Sequence, residues 1–494
     1  MKRENTQKLL MAGIFLLWLL GNGMLLILHE PWRDEANVWL IARELSPLQL
    51  FREIKYQGHP CLWYLLLMPF AKAGLPFRTI EVVSFFVMAA AAGIFWWKGP
   101  LNRAAAAVCL FSPVFTYFYP VIARNYCLIA LFLMILAWQY PRRNRHCVRY
   151  GLLLGLLVQA DTIAIPVAGL ISVMWLAETM GECARRKTLL PVKKVLSGIW
   201  IPLASLLLWI MQFYQVSDSP QFQVQELGIG EMMGEVRNFS YVILIRLTGG
   251  SQMFCQIFFV CILAAFIWVS VKIKNAWAMV VLTGSFLFQA AFSALVYQLH
   301  IWHYISLGFV LIWAVWVLGK QAQEKGFFGK MEKGGLEAIG FLLALLSVMM
   351  FMHWNSQEEP SSLDNAINGF YSDGGSAADF IRDHISQEEL VVSDNIPMAS
   401  TILAYLKDHE FYYAGSGEKA SYADWSEEQS RLVSYEELLG WVKETFPDKK
   451  EFYLIQTTES CIYDGEEMDK WEVLYQSECK TVRDEEYRIR KVRL

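Results

Sequence analysis

Charge is scarce in this sequence: Asp, Glu, Lys and Arg make up 18% of its 494 residues, whereas soluble proteins carry about 25% charged residues. Hydrophobic residues make up 55%, and before residue 353 they concentrate in runs of 16 to 22 residues, which are long enough to span a bilayer. This composition excludes a soluble cytosolic enzyme. No short repeat is present and 14% of the residues are aromatic, so the chain is neither collagen-like nor disordered.

The charges that are present divide the chain in two. Residues 1–353 hold 29 Lys+Arg against 17 Asp+Glu, a net charge of +12. Residues 354–494 hold 14 against 30, a net charge of −16. The basic residues of the first part are spread over short loops instead of forming a patch, so we expect no nucleic-acid partner. The sequence therefore predicts a membrane body followed by an acidic soluble domain.

Cysteine is also infrequent, with nine residues in the chain. Seven of them lie in or beside apolar segments and are spaced like core residues, not like a metal site. Cys461 and Cys479 lie in the acidic part. If that part faces an oxidising compartment, these two cysteines can form a disulfide.

Hydropathy predicts eleven membrane spans, which the positive-inside rule orients. The spans are 9–28, 79–97, 104–119, 124–140, 150–160, 162–179, 195–214, 253–271, 276–297, 301–319 and 335–352. We expect a multi-pass protein of the cell membrane with a cytoplasmic N-terminus and an extracytoplasmic C-terminal part. The first span has no small-residue cleavage site after it, so we interpret it as a retained helix and not a signal peptide.

The apolar segment 60–74 is too short to cross the membrane as a straight helix, which requires about 20 residues. If it crossed, the basic loop 141–149 would lie outside. We therefore predict a juxtamembrane helix there, within a first outer loop that covers residues 29–78.

The expected fold class is an α-helical polytopic membrane protein with a C-terminal extracytoplasmic α/β domain. Residues 1–353 form the transmembrane part, 354–376 a linker rich in Ser, Asn, Asp and Gly, and 377–494 the domain. Helices are predicted over 377–386, 397–407 and 435–446. Strands are predicted from β-branched and aromatic content over 389–394, 410–414, 451–456, 471–476 and 486–493.

Five polar clusters fall on the outer side of this predicted topology. They are WRDEANVW (32–39), GHPCLWY (58–64), YPVIARNY (119–126), QADT (159–162) and QLHIWHY (298–304). Ionisable groups near a bilayer are costly to bury and usually mark a site or a water-filled cavity. Their convergence predicts a site at the outer face.

Each cluster alone also has an ordinary structural explanation. Asp34 and Glu35 suit the first turn of a helix, whose dipole favours acidic residues. Arg124 suits a headgroup anchor at the interface, His59 a helix start and Asp161 a turn. The agreement of five distant clusters on one face outweighs these separate explanations.

The residue types in the clusters suit transfer chemistry. An acidic pair outside the membrane suits activation of an acceptor hydroxyl by a general base. Arginine binds phosphate in bidentate fashion, and Arg124 is placed to stabilise a polyprenyl phosphate as it leaves. These residues predict a lipid-phosphate donor held at the membrane surface.

The sequence of motifs resembles GT-C-type membrane glycosyltransferases, especially the glycosyltransferase family 39-like branch of protein O-mannosyltransferases and lipid A aminoarabinose transferases. WRDEANVW matches the acidic pair that follows the first span there, and His59-Pro60 matches the start of its HPPL-type segment, with Cys61 in place of the second proline. YPVIARNY, preceded by Ser112-Pro113, resembles a segment after the third span of bacterial members. The resemblance covers residues 1–180 well and 295–318 loosely.

The resemblance implies transfer of a hexosyl or pentosyl group, with inversion, from a polyprenyl-phosphate-linked donor at the outer face of the cytoplasmic membrane. The acceptor is a protein, a polymer or a glycolipid. It implies Asp34 first and Glu35 second as the catalytic base. Residues expected to bind the donor phosphate or the substrate are Arg33, His59, Arg124, Tyr126, Asp161, His300 and His303.

The sequence leaves metal dependence undecided and allows two other functions. The branch that this sequence resembles generally works without a metal. His59, His300 and His303 are nevertheless possible ligands of a divalent metal. A transporter or flippase of a lipid-linked sugar is the main alternative, although transporter sites lie near the bilayer midplane. A non-catalytic envelope scaffold, with the acidic domain as its binding surface, is the third.

Overall fold

The computed structural model describes residues 2–187, 190–214, 228–248, 252–324, 326, 330–356, 362–425, 429, 431, 433–457 and 471–494. Up to residue 356 the described chain is almost entirely helical. Its helices are α1 (Lys2–Leu28), α2 (Arg33–Glu44), α3 (Pro47–Glu53), α4 (Leu62–Lys72), α5 (Thr79–Lys98), α6 (Arg103–Leu110), α7 (Tyr126–Gln139), α8 (Cys147–Val158), α9 (Ile165–Arg186), α10 (Leu190–Phe213), α11 (Ile229–Thr248), α12 (Gln252–Ile273), α13 (Trp277–Leu295), α14 (Ile301–Glu324) and α15 (Lys330–Ser356).

Seven helices of the described chain are long and apolar enough to cross a membrane: α1, α5, α9, α10, α13, α14 and α15. Their apolar side chains are distributed as a bilayer requires. α14 is almost fully buried, whereas α1 leaves Leu9, Leu17 and Ile27 exposed on the outside of the bundle. Apolar side chains on the outside of a helical bundle are stable only in contact with lipid. The protein is a multi-pass membrane protein.

The predicted count of eleven spans is not confirmed. Residues 104–119 do not form one helix, because α6 ends at Leu110 and turns follow up to residue 125. Pro113 lies in this segment and disfavours a continuous helix by lacking an N–H group. α7 and α8 have 14 and 12 residues, fewer than a straight crossing needs. α11 was not predicted, because its acidic and basic residues lower its hydropathy.

The predicted juxtamembrane segment is a helix, α4, and it packs against α2. The Ser46 side chain accepts a hydrogen bond from the Gln49 backbone N–H and begins α3, while Gln49 bonds back to the Ser46 N–H. This reciprocal cap is favourable at a helix N-terminus. Helices α2 to α4 form a short layer between the bundle and the C-terminal part.

The C-terminal part is an α/β domain. Its helices are α16 (Leu363–Asn368), α17 (Gly374–His384), α18 (Ile396–Tyr405) and α19 (Tyr435–Thr445), and its strands are β1 (Val391–Ser393), β2 (Phe411–Tyr413), β3 (Glu418–Lys419), β4 (Glu451–Thr457), β5 (Glu472–Gln476) and β6 (Tyr487–Arg493). The sheet order is β3-β2-β1-β4-β6-β5. β1 pairs parallel with β2 and β4, and the other pairs are antiparallel. The three helices and five strands predicted for this part are confirmed within three residues at each end.

The predicted linker over 354–376 contains α16 and packs against the membrane part. The Tyr371 backbone N–H donates to the Glu30 carboxylate at 2.6 Å, and the side chains of Tyr371 and Ser372 are buried. The proposed Cys461–Cys479 pair lies outside the described residues, because Cys461 is not among them.

The C-terminal domain docks on the N-terminus of α2. Glu485, which is fully buried, accepts hydrogen bonds from the Arg33 backbone N–H at 2.8 Å, from the Ser372 hydroxyl at 2.6 Å and from the Thr401 hydroxyl at 3.0 Å. α18 packs along α2. Because a buried carboxylate is stable only when its acceptor positions are satisfied, this contact ties the domain to the start of α2.

Candidate active site

The first turn of α2 separates the two adjacent acidic residues. Successive residues of an α-helix point about 100° apart, so Asp34 and Glu35 cannot face the same surroundings. Asp34 keeps 24% of its side chain accessible and lines a cavity of about 420 Å³, which we call the site cavity. Glu35 is fully buried beside it and is not among the residues lining the cavity.

The carboxylate of Glu35 is occupied by structural hydrogen bonds. One oxygen accepts from the Ala123 backbone N–H at 2.6 Å. The other accepts from the Trp32 backbone N–H at 3.2 Å and lies 3.1 Å from His29 Nε2. Glu35 therefore caps its own helix and anchors the chain that leads to Arg124.

Arg124 extends from the irregular segment 111–125 and pairs with Asp34. Its second terminal nitrogen lies 2.9 Å from His59 Nε2. A guanidinium has only donors, so His59 Nε2 accepts this bond. The proton of the neutral His59 ring is then on Nδ1, which lies 3.0 Å from the Asp161 carboxylate and donates to it.

Asp161 is the far end of this chain of polar contacts. It accepts a hydrogen bond from the Asn125 side-chain amide at 2.6 Å and, through its other oxygen, from the Ile163 backbone N–H at 2.8 Å. The second contact begins the turn before α9. Asp161 thus orients His59, and His59 orients the guanidinium of Arg124.

A second polar pair lies beside Arg124. The Tyr126 hydroxyl is 2.9 Å from His303 Nε2, and His303 Nδ1 accepts from the His300 backbone N–H at 2.9 Å. Because Nδ1 accepts, the ring proton of neutral His303 is on Nε2 and is donated to Tyr126. His300 stacks on Trp302 at 4.9 Å between ring centroids and lines the site cavity.

The charges around the site cavity favour ionised carboxylates. Burial alone raises the pKa of Asp34, but the positive charges of Arg124, Arg33 and Arg483 outweigh it and hold the pKa below its ordinary value. Burial likewise raises the pKa of Asp161, and its hydrogen bonds with the His59 ring and the Ile163 backbone N–H reverse the effect. The Asp34 carboxylate raises the pKa of Arg124 against the effect of burial. Asp34 is therefore a carboxylate at neutral pH.

The structure gathers the predicted site residues from distant parts of the chain. Those lining the site cavity are Arg33, Asp34, His59, Arg124, Tyr126, Asp161, His300 and His303, and Glu35 is the exception. The cavity also has residues that were not predicted as site residues: Trp32, Tyr297 and Trp302 from the membrane part, and Pro397, Trp425 and Arg483 from the C-terminal domain. Trp32 and Trp302 lie within predicted motifs and Tyr297 adjoins one, whereas Arg483 carries no sequence signal of its own.

The described residues include no group of three or more His, Cys, Asp and Glu side chains placed to hold a metal ion. Histidines His59 and His303 are each engaged by neighbouring side chains within the polar chains described above. The donors and acceptors of the cavity suit an anion and a hydroxyl-bearing substrate.

Two solved structures share this architecture over nearly the whole chain. One is ArnT from Cupriavidus metallidurans in the apo state, with a TM-score of 0.55 and 12% identity over 99% of this chain and 98% of that one. The other is the same protein bound to undecaprenyl phosphate, with a TM-score of 0.51 and 11% identity over 98% of both chains. The chain has the GT-C fold of ArnT.

This agreement confirms, for the fold, the resemblance inferred from the motifs near Asp34, His59 and Arg124. The similarity includes the C-terminal domain, because the matched region covers almost all of both chains. No protein-family model matches the sequence, and no curated protein matches it significantly. At 11–12% identity the GT-C fold is shared while most residues differ, and a shared fold does not by itself define the chemistry of a site.

Proposed function

We propose that this protein is an inverting GT-C glycosyltransferase that moves a sugar from a polyprenyl-phosphate-linked donor to an acceptor at the outer face of the cytoplasmic membrane. The observation that carries the proposal is the Asp34–Arg124 pair, which lines a cavity between the bundle and the C-terminal domain. The pair combines a carboxylate able to take a proton with a guanidinium able to hold a phosphate. The solved ArnT complex with undecaprenyl phosphate supports the choice of donor class.

The pair also suggests the order of events. When the donor phosphate binds Arg124, it competes with Asp34 for the guanidinium. Asp34 then loses its closest positive partner, and its pKa rises towards the ordinary value. A carboxylate with a higher pKa is a stronger base. Donor binding thereby prepares Asp34 for the transfer step.

In the transfer step, Asp34 takes the proton of the acceptor hydroxyl as its oxygen forms a bond to the anomeric carbon. The bond between that carbon and the phosphate oxygen breaks, and the electron pair stays on the polyprenyl phosphate. Arg124, held by His59, stabilises this charge. Attack opposite the leaving group inverts the anomeric centre. Glu35, with its oxygens occupied, positions the helix and does not act as base.

An apolar cavity offers a path for the lipid chain of the donor. It has a volume of about 390 Å³ and is lined mainly by Leu, Ile and Phe side chains of α11 to α15. Leu307 lines it and lies one helical turn beyond His303 of the site cavity. A polyprenyl chain in this groove would place its phosphate near Arg124.

The direct test uses the purified protein in lipid nanodiscs with labelled polyprenyl-phosphate hexose and pentose donors and a cell-envelope extract as acceptor. A transferase releases free polyprenyl phosphate and labels the acceptor in repeated turnovers. In proteoliposomes a flippase instead moves the labelled lipid between leaflets and releases none. Movement without release for every donor would contradict the proposal, and Asp34→Asn serves as the inactive control.

A further inference from the structure

Arg483 is held firmly between the C-terminal domain and the bundle. It lies between β5 and β6, and its backbone N–H donates to the Tyr371 carbonyl at 3.3 Å. Its own carbonyl accepts a hydrogen bond from the Arg33 guanidinium at 2.9 Å. These backbone hydrogen bonds hold the Arg483 main chain at the edge of the site cavity.

The guanidinium of Arg483 lies among aromatic rings. Its central carbon is 4.0 Å from the centroid of Trp32, 5.2 Å from that of Trp302 and 5.6 Å from that of Tyr371. Such contacts orient a guanidinium and compensate part of its desolvation. They do not supply acceptors in the plane of the group.

Two nitrogens of this guanidinium lack acceptors. Nε and Nη2 of Arg483 are buried and have no hydrogen-bond partner among the described residues. The nearby carboxylates are engaged elsewhere, Asp34 with Arg124 and Glu485 with Arg33, Ser372 and Thr401. Buried donors of a permanently charged group are costly when unpaired. The geometry is that of a cation with donors left for an anion.

We propose that Arg483 of the C-terminal domain is a substrate-binding residue that takes a phosphate oxyanion in the site cavity, opposite Arg124. This inference rests on the proposed function and extends it, because it gives the C-terminal domain a part in substrate recognition. Adjacent Nε and Nη2 donors form the fork that binds two oxygens of one phosphate, once a change of side-chain rotamer turns them from the aromatic rings into the site cavity. The phosphate belongs either to the polyprenyl donor or to an anionic acceptor.

The test measures binding to the full-length protein in nanodiscs with two probes, sugar-free polyprenyl phosphate and inorganic phosphate. Arg483→Gln removes the charge and the fork, and Arg483→Lys keeps the charge without the fork. We expect Arg483→Gln to weaken binding of a phosphate probe at least about tenfold and Arg483→Lys to weaken it less. Arg382→Gln is the control, because Arg382 is an exposed arginine of the same domain.

The two probes distinguish the source of the phosphate. Weaker binding of polyprenyl phosphate assigns Arg483 to the donor. Unchanged lipid binding, with weaker binding of inorganic phosphate at saturating lipid, assigns it to an anionic acceptor. Unchanged binding of both probes in Arg483→Gln overturns the proposal and leaves Arg483 as a structural contact to Trp32.

Stability and function are separated by two further readouts. If Arg483→Gln lowers the melting temperature, the binding of the two probes is compared between the wild type and Arg483→Lys instead, because the lysine ammonium can still lie over the Trp32 ring. If the wild-type protein binds no polyprenyl phosphate, the proposed function fails, whatever Arg483 does. If the wild type binds the lipid and both Arg483 variants bind both probes equally well, only the role of Arg483 fails.

Discussion

On one side of the site cavity, which we call the bundle wall, Arg124 is held by Asp34 and His59. On the other side, the domain wall, Arg483 has two buried nitrogens with no hydrogen-bond partner in the described chain. The bundle wall is a connected chain of polar side chains that are hydrogen-bonded to one another before substrate arrives. The domain wall offers one cation held by aromatic rings. The difference suggests that the bundle wall performs the chemistry, whereas the domain wall contributes to recognition.

The largest effect is expected for Asp34, the carboxylate of the bundle wall that contacts Arg124 and remains partly accessible. Asp34→Asn should lower kcat by about 10²- to 10⁴-fold, the usual contribution of a general base, with little change in melting temperature. Glu44→Gln, at the exposed far end of α2, is the matched control. Full transfer activity in Asp34→Asn would show that Asp34 is not the base and that the bundle wall does not perform the chemistry.

The next largest effect is expected for Arg124. Arg124→Gln should lower kcat or raise the donor KM by a combined factor of about 10² to 10³, the loss typical of a group that stabilises developing charge. Because Arg124 holds the pKa of Asp34 down, its removal should also move the acidic limb of the pH–rate profile to higher pH. An unchanged donor response and an unmoved profile would make Arg124 a membrane anchor only.

A smaller effect, on stability, is expected for Glu35, which supports the bundle wall from behind. Its two oxygens accept from the Ala123 and Trp32 backbone N–H groups. In Glu35→Gln the amide nitrogen would face one of these donors, at a cost on the order of 2 kcal/mol. We expect a lower melting temperature with nearly normal turnover by the folded fraction. Lost turnover at an unchanged melting temperature would instead identify Glu35 as a base.

The smallest effect is a pH dependence at His29, which bonds to Glu35. Burial lowers the pKa of His29, but the charges of Glu35, Glu81 and Glu30 raise it above the ordinary value. A raised pKa stabilises the fold below the ordinary value of about 6.5, and this stabilisation is lost as the pH rises through the folded-state pKa. Arg78 pairs with Glu81, and its guanidinium donates to the His29 carbonyl at 2.8 Å.

The measurement is the difference in melting temperature between the wild type and His29→Gln. We expect this difference to be larger at pH 5.5 than at pH 9, because the stabilisation by protonated His29 is present only at the lower pH. An equal difference at both values would mean that His29 is neutral throughout and that the support behind the bundle wall is not ionic.

Much of the membrane part followed from local patterns. The long apolar runs at 9–28, 79–97 and 301–319 are helices, since hydropathy over about 20 residues is a local property. Residues 111–119 of the irregular segment were predicted as the end of the span 104–119, because their aromatic residues look apolar in a window, whereas residues 119–126 were predicted as a turn. The turns of this segment depend on contacts such as the Glu35–Ala123 hydrogen bond, which no window of the sequence contains.

The sequence predicted which residues lie near the candidate site better than it predicted the role of each residue. Five motifs indicated the bundle wall because each has an ionisable group in an apolar setting. The resemblance put Asp34 before Glu35, but the motifs give no physical reason for that order, since it depends on the rotation of α2 against the segment leading to Arg124. Arg483 was missed because it is one arginine in an acidic stretch, and the Trp32 ring it contacts is about 450 positions away in the chain.

By itself the sequence determined that this is a membrane protein with a basic bundle, an acidic C-terminal domain and polar groups collected near one cavity, because hydropathy, charge and motif spacing act over short stretches of chain. Only the tertiary structure decided which carboxylate faces the cavity, which histidine nitrogen carries the proton and that the domain brings Arg483 to the edge of the site cavity. Those features depend on the packing of segments far apart in sequence, where a single hydrogen bond or a helix rotation changes what a residue can do.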